Sequence, residues 1–274
     1  MNVGFIGTGN MGRILIEAFL EAKVVTPSSM YITNRTIEKA RAIQEENPNI
    51  HVCANIDELV NFSDYIFVCV KPLDIHPLLI KLRKQLSSEK CLISITSPLS
   101  VEQIESVVPC QVARVIPSIT NRALSGVSLI TLGKSCTPET KTTIEEMFRK
   151  ISTPIYIKNN VTRVASDIVS CGPAFFSYLL QQFIDAAVEE TEIANEQAIQ
   201  LASEMFIGMG KLLESGHYTL PTLQEKVCVK GGVTGEGIKV LEKEIGNLFK
   251  HLFQSTHSKY YKDLEEVSEQ FQLL

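Results

Sequence analysis

The sequence predicts an α/β fold, a doubly wound sheet, followed by an all-helical segment. Three observations carry this. Short apolar runs alternate with helical patterns from residue 3 to about residue 157. A glycine turn follows the first run at G-x-G-x-x-G spacing. From Thr162 onward the pattern is helical almost to the end.

The opening stretch organises the rest. Val3, Phe5 and Ile6 form a short buried strand, and Gly7, Gly9 and Gly12 follow it. Helical spacing then runs through Ile14, Leu15, Ala18 and Phe19. Strand, glycine turn and helix start stand in the order of a dinucleotide site. Gly7 suits the tight turn, Gly9 a close approach to pyrophosphate, and Gly12 close packing of helix on sheet. Thr8, Asn10 and Met11 complete the candidate loop. The helix start presents free N–H groups and a partial positive charge to phosphates.

Tyr31-Ile32-Thr33 reads as the second strand and ends in Asn34-Arg35. An NAD site carries an Asp or Glu here to read the ribose 2′-hydroxyl. No acid is present, and Arg35 suits a 2′-phosphate through paired hydrogen bonds. NADP is therefore expected ahead of NAD, with NAD possible. The plainer reading is a surface arginine followed by a Thr36 N-cap. Residues 37–46 are helical in pattern, and His51-Val52-Cys53 is a short strand.

Residues 64–70 form a near-continuous apolar run, as in a parallel strand buried on both faces. Ligands lie beyond the carboxyl ends of such strands, which places Val70, Lys71 and Pro72 beside the cofactor. Pro72 starts the next helix. His76, just beyond, reads as either a proton donor or a solvent-facing histidine in a first helical turn. Strands follow at 91–95, 112–116, 126–131 and 154–157, with a helix over 138–150.

The change of character near residue 160 predicts two domains, 1–160 and 161–274. Residues 174–193 are the most apolar stretch, with Phe175, Phe176, Leu179, Leu180, Phe183 and Ile184 covering more than one face. A helix this apolar needs burial on most sides. A partner chain is the economical cover. Gly231, Gly232, Gly235 and Gly237 cluster around Thr234 between two helical patterns. The cluster reads either as a flexible connection or as a turn whose N–H groups hold a small carboxylate. Thr234 can also cap a helix starting near Glu236.

Composition bounds the rest. A net charge of −5 gives no support for broad nucleic-acid or anionic-membrane binding. Seven cysteines without a C-x-x-C pair read as reduced thiols of a cytoplasmic protein. The chain begins directly on a core strand, so no signal peptide is expected. No run reaches the roughly 18 apolar residues of a membrane span.

These residues carry a resemblance to the pyrroline-5-carboxylate reductases, running over essentially the whole chain. It rests on GFIGTGNMG (4–12), Asn34-Arg35, VCVKP (68–72), RVIPS (114–118), CGPAF (171–175) and, most specifically, CVKGGVTGEGIKVLE (228–242). The resemblance implies a Rossmann domain that binds NADP, then a helical dimerisation and substrate domain. It implies homodimers, assembled into higher oligomers. It implies that Gly231, Gly232 and Thr234 hold the substrate carboxylate and ring nitrogen region, with Thr234 in the catalytic role.

The chain departs from the family's usual pattern at Thr96-Ser97 in place of Ala-Gly, Ser118 in place of Asn, and Val229-Lys230 in place of Ser-Pro. Those departures resemble a divergent, competence-associated branch.

The expected activity is NADPH-dependent reduction of 1-pyrroline-5-carboxylate to L-proline in amino-acid biosynthesis. The alternative is an NADP-binding paralogue with lost or altered catalysis and a regulatory role. Hydride transfer to an imine needs orientation more than protein nucleophiles, and positioning can supply about 7–11 kcal/mol. No metal is expected.

Overall fold

The structure, a computed structural model, describes residues 1–272. Its strands are β1 (Val3–Ile6), β2 (Met30–Thr33), β3 (His51–Val52), β4 (Tyr65–Val68), β5 (Cys91–Ser94), β6 (Gln111–Ile116), β7 (Val127–Leu132) and β8 (Thr153–Tyr156). They form one sheet in the order β3-β2-β1-β4-β5-β6-β7-β8. Only the β6–β7 pairing is antiparallel. The strand order reverses between β1 and β4, where a doubly wound sheet opens its ligand crevice.

Six helices cross between or flank the strands: α1 (Asn10–Glu21), α2 (Ile37–Glu46), α3 (Ile56–Phe62), α4 (Pro72–Leu82), α5 (Val101–Glu105) and α6 (Pro138–Arg149). Their starts follow local chemistry. Asn55 caps α3 by accepting from the Glu58 N–H at 2.9 Å. Ser100 and Gln103 form a capping box on α5. Pro72 and Pro138 open α4 and α6 at positions where no N–H is needed.

β1 is buried at every residue and β4 at three of four, which explains their continuous apolar sequences. On one face Phe5 stacks on Phe67 at 4.7 Å, with Phe19 edge-on to both. The other face packs Ile66, Val68 and Leu92 with Leu79 and Ile104.

The remainder is helical: α7 (Thr162–Ser166), α8 (Gly172–Glu190), α9 (Asn195–Glu214), α10 (Leu220–Val227), α11 (Val233–Ile245) and α12 (Leu248–Gln272). A π turn over Asp167–Cys171 runs α7 directly into α8. Packing divides the chain into two units: residues 1–173 with the segment from Ser255 onward, and Ala174–Gln254. This division differs from a cut at residue 160. The returning part of α12 belongs to the first unit, where Val267 is buried in the sheet's second core. Within the second unit Ile184, Ala198 and Ala202 form a small core. Phe176, Tyr178 and Phe183 of α8 are exposed on the single chain.

Candidate functional site

The glycine loop sits at the carboxyl end of β1. Gly7 has φ +99°, and a Cβ there would meet the Cys69 carbonyl oxygen at 2.6 Å. At Gly12 a Cβ would meet the Gly7 oxygen at 2.2 Å, so only glycine lets α1 start this close to the turn. Above Gly9 there is open space, with nothing within 4 Å of an added Cβ. No side chain caps α1 at Gly9, and its first turn, Asn10-Met11-Gly12, holds no acid.

Asn34 fastens this loop to the end of β2. Its Oδ1 accepts from the Thr8 N–H at 3.0 Å, and its Nδ2 donates to the Thr36 oxygen at 2.9 Å. Arg35 stands exposed between them. Thr36 occupies the N-cap position of α2, yet its side chain makes no capping bond. From β4, the Cys69 N–H donates to the Ile6 oxygen at 2.8 Å, bringing Val70 and Lys71 to the same end of the sheet. Lys71 is the exposed N-cap residue of α4.

A dinucleotide fits this cradle. The Thr8 hydroxyl is buried with no hydrogen-bond partner among the described residues, an unusual state for a hydroxyl at the mouth of a turn. The uncapped α1 start and the space above Gly9 lie on the same loop.

His76 differs from the expected solvent-facing residue. It is half-buried, edge-on to Phe271 at 4.5 Å, and its Nε2 is shielded from solvent. The returning α12 covers it, which local sequence does not reveal.

The second candidate segment lies in the helical unit. Cys228–Gly232 connects α10 to α11, turning at Gly231 (φ +77°). The Gly232 N–H donates to the Val229 oxygen at 2.9 Å. Two expectations change here. Gly232, not Thr234, is the N-cap, so Thr234 sits inside the first turn of α11. Gly235 and Gly237 lie within the helix rather than in a loop. The reason is geometric: extended Gly232 already supplies the cap conformation, and α11 starts three residues before Glu236. Thr234 is half-buried; Lys230 and Val233 are exposed.

Two of the three segments departing from the family pattern, Ser118 and Thr96-Ser97, are engaged in structure. Ser118 is 1% exposed; its hydroxyl donates to the Val169 oxygen at 2.8 Å and accepts from Thr120 Oγ1 at 2.9 Å. It joins the end of β6 to the π turn. Thr96-Ser97 follows β5, and the Ser97 oxygen accepts from Arg114 and Tyr260.

Sequence reasoning missed Arg114 as an organising group. It is 2% exposed on β6. Its Nη1 donates to the Ser97 and Leu99 oxygens at 3.3 and 3.2 Å. Its Nη2 donates to Thr131 Oγ1, Asn159 Oδ1 and Thr162 Oγ1 at 3.2, 2.8 and 2.8 Å. Burial pulls its pKa down, against the influence of Tyr260 and Glu102. Among the described residues no group of three His, Cys, Asp or Glu side chains is set to hold a metal. No helix among them is long and apolar enough to cross a membrane.

Comparison with known proteins agrees with this architecture. Residues 159–263 match the family described as pyrroline-5-carboxylate reductase dimerisation. Residues 2–98 match that described as NADP oxidoreductase, coenzyme F420-dependent. The chain is 59% identical to ComE operon protein 4 of Bacillus subtilis, over 99% of each chain. It is 27% identical to pyrroline-5-carboxylate reductase 3 of the same organism, over 98% of each.

Two solved structures share the fold at 22% identity. The Plasmodium falciparum pyrroline carboxylate reductase with NADP bound has a TM-score of 0.82 over 97% of this chain and 98% of its own. The Coxiella burnetii pyrroline-5-carboxylate reductase has a TM-score of 0.83 over 98% of each. By its full-length identity to ComE operon protein 4 and its dimerisation segment, the chain belongs to the pyrroline-5-carboxylate reductase family.

Proposed function

We propose that the chain is an NADPH-dependent reductase of 1-pyrroline-5-carboxylate, forming L-proline by hydride transfer to the imine. The observation that carries this reading is the cradle at Gly7–Gly12, which Asn34 fastens beside Arg35 where a ribose-reading acid would stand. Support comes from the relatives named for this reductase and the NADP in the Plasmodium structure.

Bound NADPH supplies the hydride, and the imine is activated by its own protonation. The chain's residues bind and orient. N–H groups of Gly9–Gly12 and the buried Thr8 hydroxyl face the pyrophosphate. Arg35 pairs with the 2′-phosphate. Val70, Lys71 and Pro72 border the cofactor. Gly231 and Gly232 offer N–H groups to the substrate carboxylate, and the Thr234 hydroxyl orients the ring nitrogen. Residues 1–160 then serve as the cofactor domain and 161–274 as the dimerisation and substrate domain. The active form is a homo-oligomer built from dimers in the cytoplasm.

A second reading has its own support: an NADP-binding paralogue with lost or altered chemistry and a regulatory role. Ser118 spends its hydroxyl on the Val169 carbonyl, and the 59% identical relative is named for an operon rather than a reaction. NADPH absorbance decay with pyrroline-5-carboxylate, beside a fluorescence titration of NADPH, decides between them. Turnover establishes the reductase. Binding without turnover establishes the paralogue reading. Absence of both overturns the cofactor site itself.

A further inference from the structure

α4 carries a proline in its interior. Pro77 has no N–H, so the carbonyl four residues earlier, that of Leu73, loses its i+4 helical donor. Gln270 of α12 supplies a donor from outside the helix. Its Nε2 donates to the Leu73 oxygen at 3.2 Å, across 197 residues of sequence.

The face of α12 that bears Gln270 is fixed on both sides of it. Val267, Gln270 and Phe271 stand at i, i+3 and i+4. Val267 is 1% exposed, in the core that also holds Ile75 and Leu79 of α4. Phe271 meets His76, the residue before Pro77, at 4.5 Å. Ser268 accepts from Gln103 Nε2 at 3.2 Å. Gln270 itself is half-buried. Its amide therefore reaches Leu73 with little side-chain freedom left to lose.

The receiving end lies at the crevice. Leu73 is the second residue of α4, directly after Pro72 and the N-cap Lys71, beyond the carboxyl end of β4. The Asp74 N–H donates to the Lys71 oxygen at 3.0 Å, which ties the first turn to the N-cap.

From this juxtaposition we infer that Gln270 is a positioning residue for the cofactor crevice. Its side-chain amide replaces the donor that Pro77 lacks and fixes the start of α4, and with it Lys71 and Pro72. The inference rests on the reading of that crevice as a dinucleotide site. Gln270 acts through the Leu73 carbonyl and not on the cofactor itself. Pro77 thereby makes the opening turn of α4 depend on the last helix of the chain, and an N–H at position 77 ends that dependence.

The test is a double-substitution cycle on the full-length protein. Gln270→Met keeps the length and helix propensity of the side chain and removes the donor. Pro77→Ala returns an N–H to α4 at an exposed position. Each protein is titrated with NADPH by fluorescence. Amide hydrogen exchange is followed without cofactor on a peptide spanning residues 70–80. Gln270→Met is expected to speed exchange in that peptide and to weaken NADPH binding about three- to tenfold, the range of one hydrogen bond. Pro77→Ala alone leaves NADPH affinity within about twofold of the parent, and in its background Gln270→Met moves neither readout. That rescue marks the missing donor, because lost packing around Gln270 would not be restored by an N–H at position 77. Unchanged exchange in Gln270→Met would overturn the inference. So would an equal effect of Gln270→Met in both backgrounds, or faster exchange with NADPH affinity intact. A parent that binds no NADPH defeats the dinucleotide reading itself, and the positioning role falls with it.

Discussion

Replacing Arg114 with Met removes a buried cation and its five hydrogen bonds while keeping much of its length. Charge-assisted bonds at about 1.5–3 kcal/mol each would sum to as much as the ~5–15 kcal/mol that holds a typical domain together. That sum is too large, because the acceptors are not equally stranded. The Ser97 oxygen keeps Tyr260, the Thr131 hydroxyl keeps its donation to the Ile157 oxygen, and Asn159 is exposed, so water can replace Arg114 at its Oδ1. The Leu99 oxygen and the Thr162 hydroxyl lose Arg114, and both residues are fully buried. Each stranded acceptor costs about 1–3 kcal/mol. Relief from burying a cation that bonds no carboxylate offsets part of it.

The expected net loss is about 2–4 kcal/mol, which at ~2–4 °C per kcal/mol lowers the Tm by roughly 5–15 °C. Thermal unfolding followed by circular dichroism at fixed protein concentration reads this out, since oligomers shift Tm with concentration. Arg114→Lys, keeping the charge but reaching fewer acceptors, falls between. A Met variant melting within about 2 °C of the parent would refute the reasoning.

Arg35→Ala narrows a preference for NADPH over NADH in fluorescence titrations; equal binding of both cofactors by the parent would remove the phosphate role. Thr234→Val lowers turnover of pyrroline-5-carboxylate by about 2–4 kcal/mol in the transition state while NADPH affinity holds; full turnover in the variant excludes Thr234 from the chemistry. Gly12→Ala, whose Cβ meets the Gly7 oxygen at 2.2 Å, abolishes NADPH binding by displacing the loop. Glu102 resists protonation: burial opposes its charge, but backbone bonds, Ser100, Asn159 and Arg114 outweigh this and lower its pKa. Its stabilising effect is present above the unfolded-chain value near ~4.3 and disappears as pH falls through the lower folded value, so Glu102→Gln flattens the acid limb of the stability curve. Sedimentation at micromolar concentration shows an oligomer, because Phe176, Tyr178 and Phe183 crowd one exposed helix.

The strands were legible because parallel pairing buries both faces: the apolar runs at 3–6, 65–68 and 91–94 need no tertiary context to be recognised. Gly7 and Gly12 were legible because each obeys a steric demand of the turn itself. Thr234 was misplaced because glycine-rich sequence reads as a connection, although Gly235 and Gly237 ride inside α11. Arg114 was hidden because its partners Ser97, Asn159 and Thr162 lie 17, 45 and 48 residues away. The covering of His76 by Phe271 is invisible for the same reason.

The return of α12 sets a condition on synthesis. Val267 completes the core made by β4, β5 and α4, Ser268 accepts from Gln103, and Gln270 donates to the Leu73 oxygen. Residues 174–254 intervene in sequence between that core and its last piece. A ribosome therefore finishes the sheet long before it releases the segment that seals the sheet's second face. Until then Leu79, Ile104 and their neighbours lie beneath an open seam, a binding surface for chaperones on the nascent chain. A stop codon at or before position 267 would remove Val267 and leave that seam permanently open.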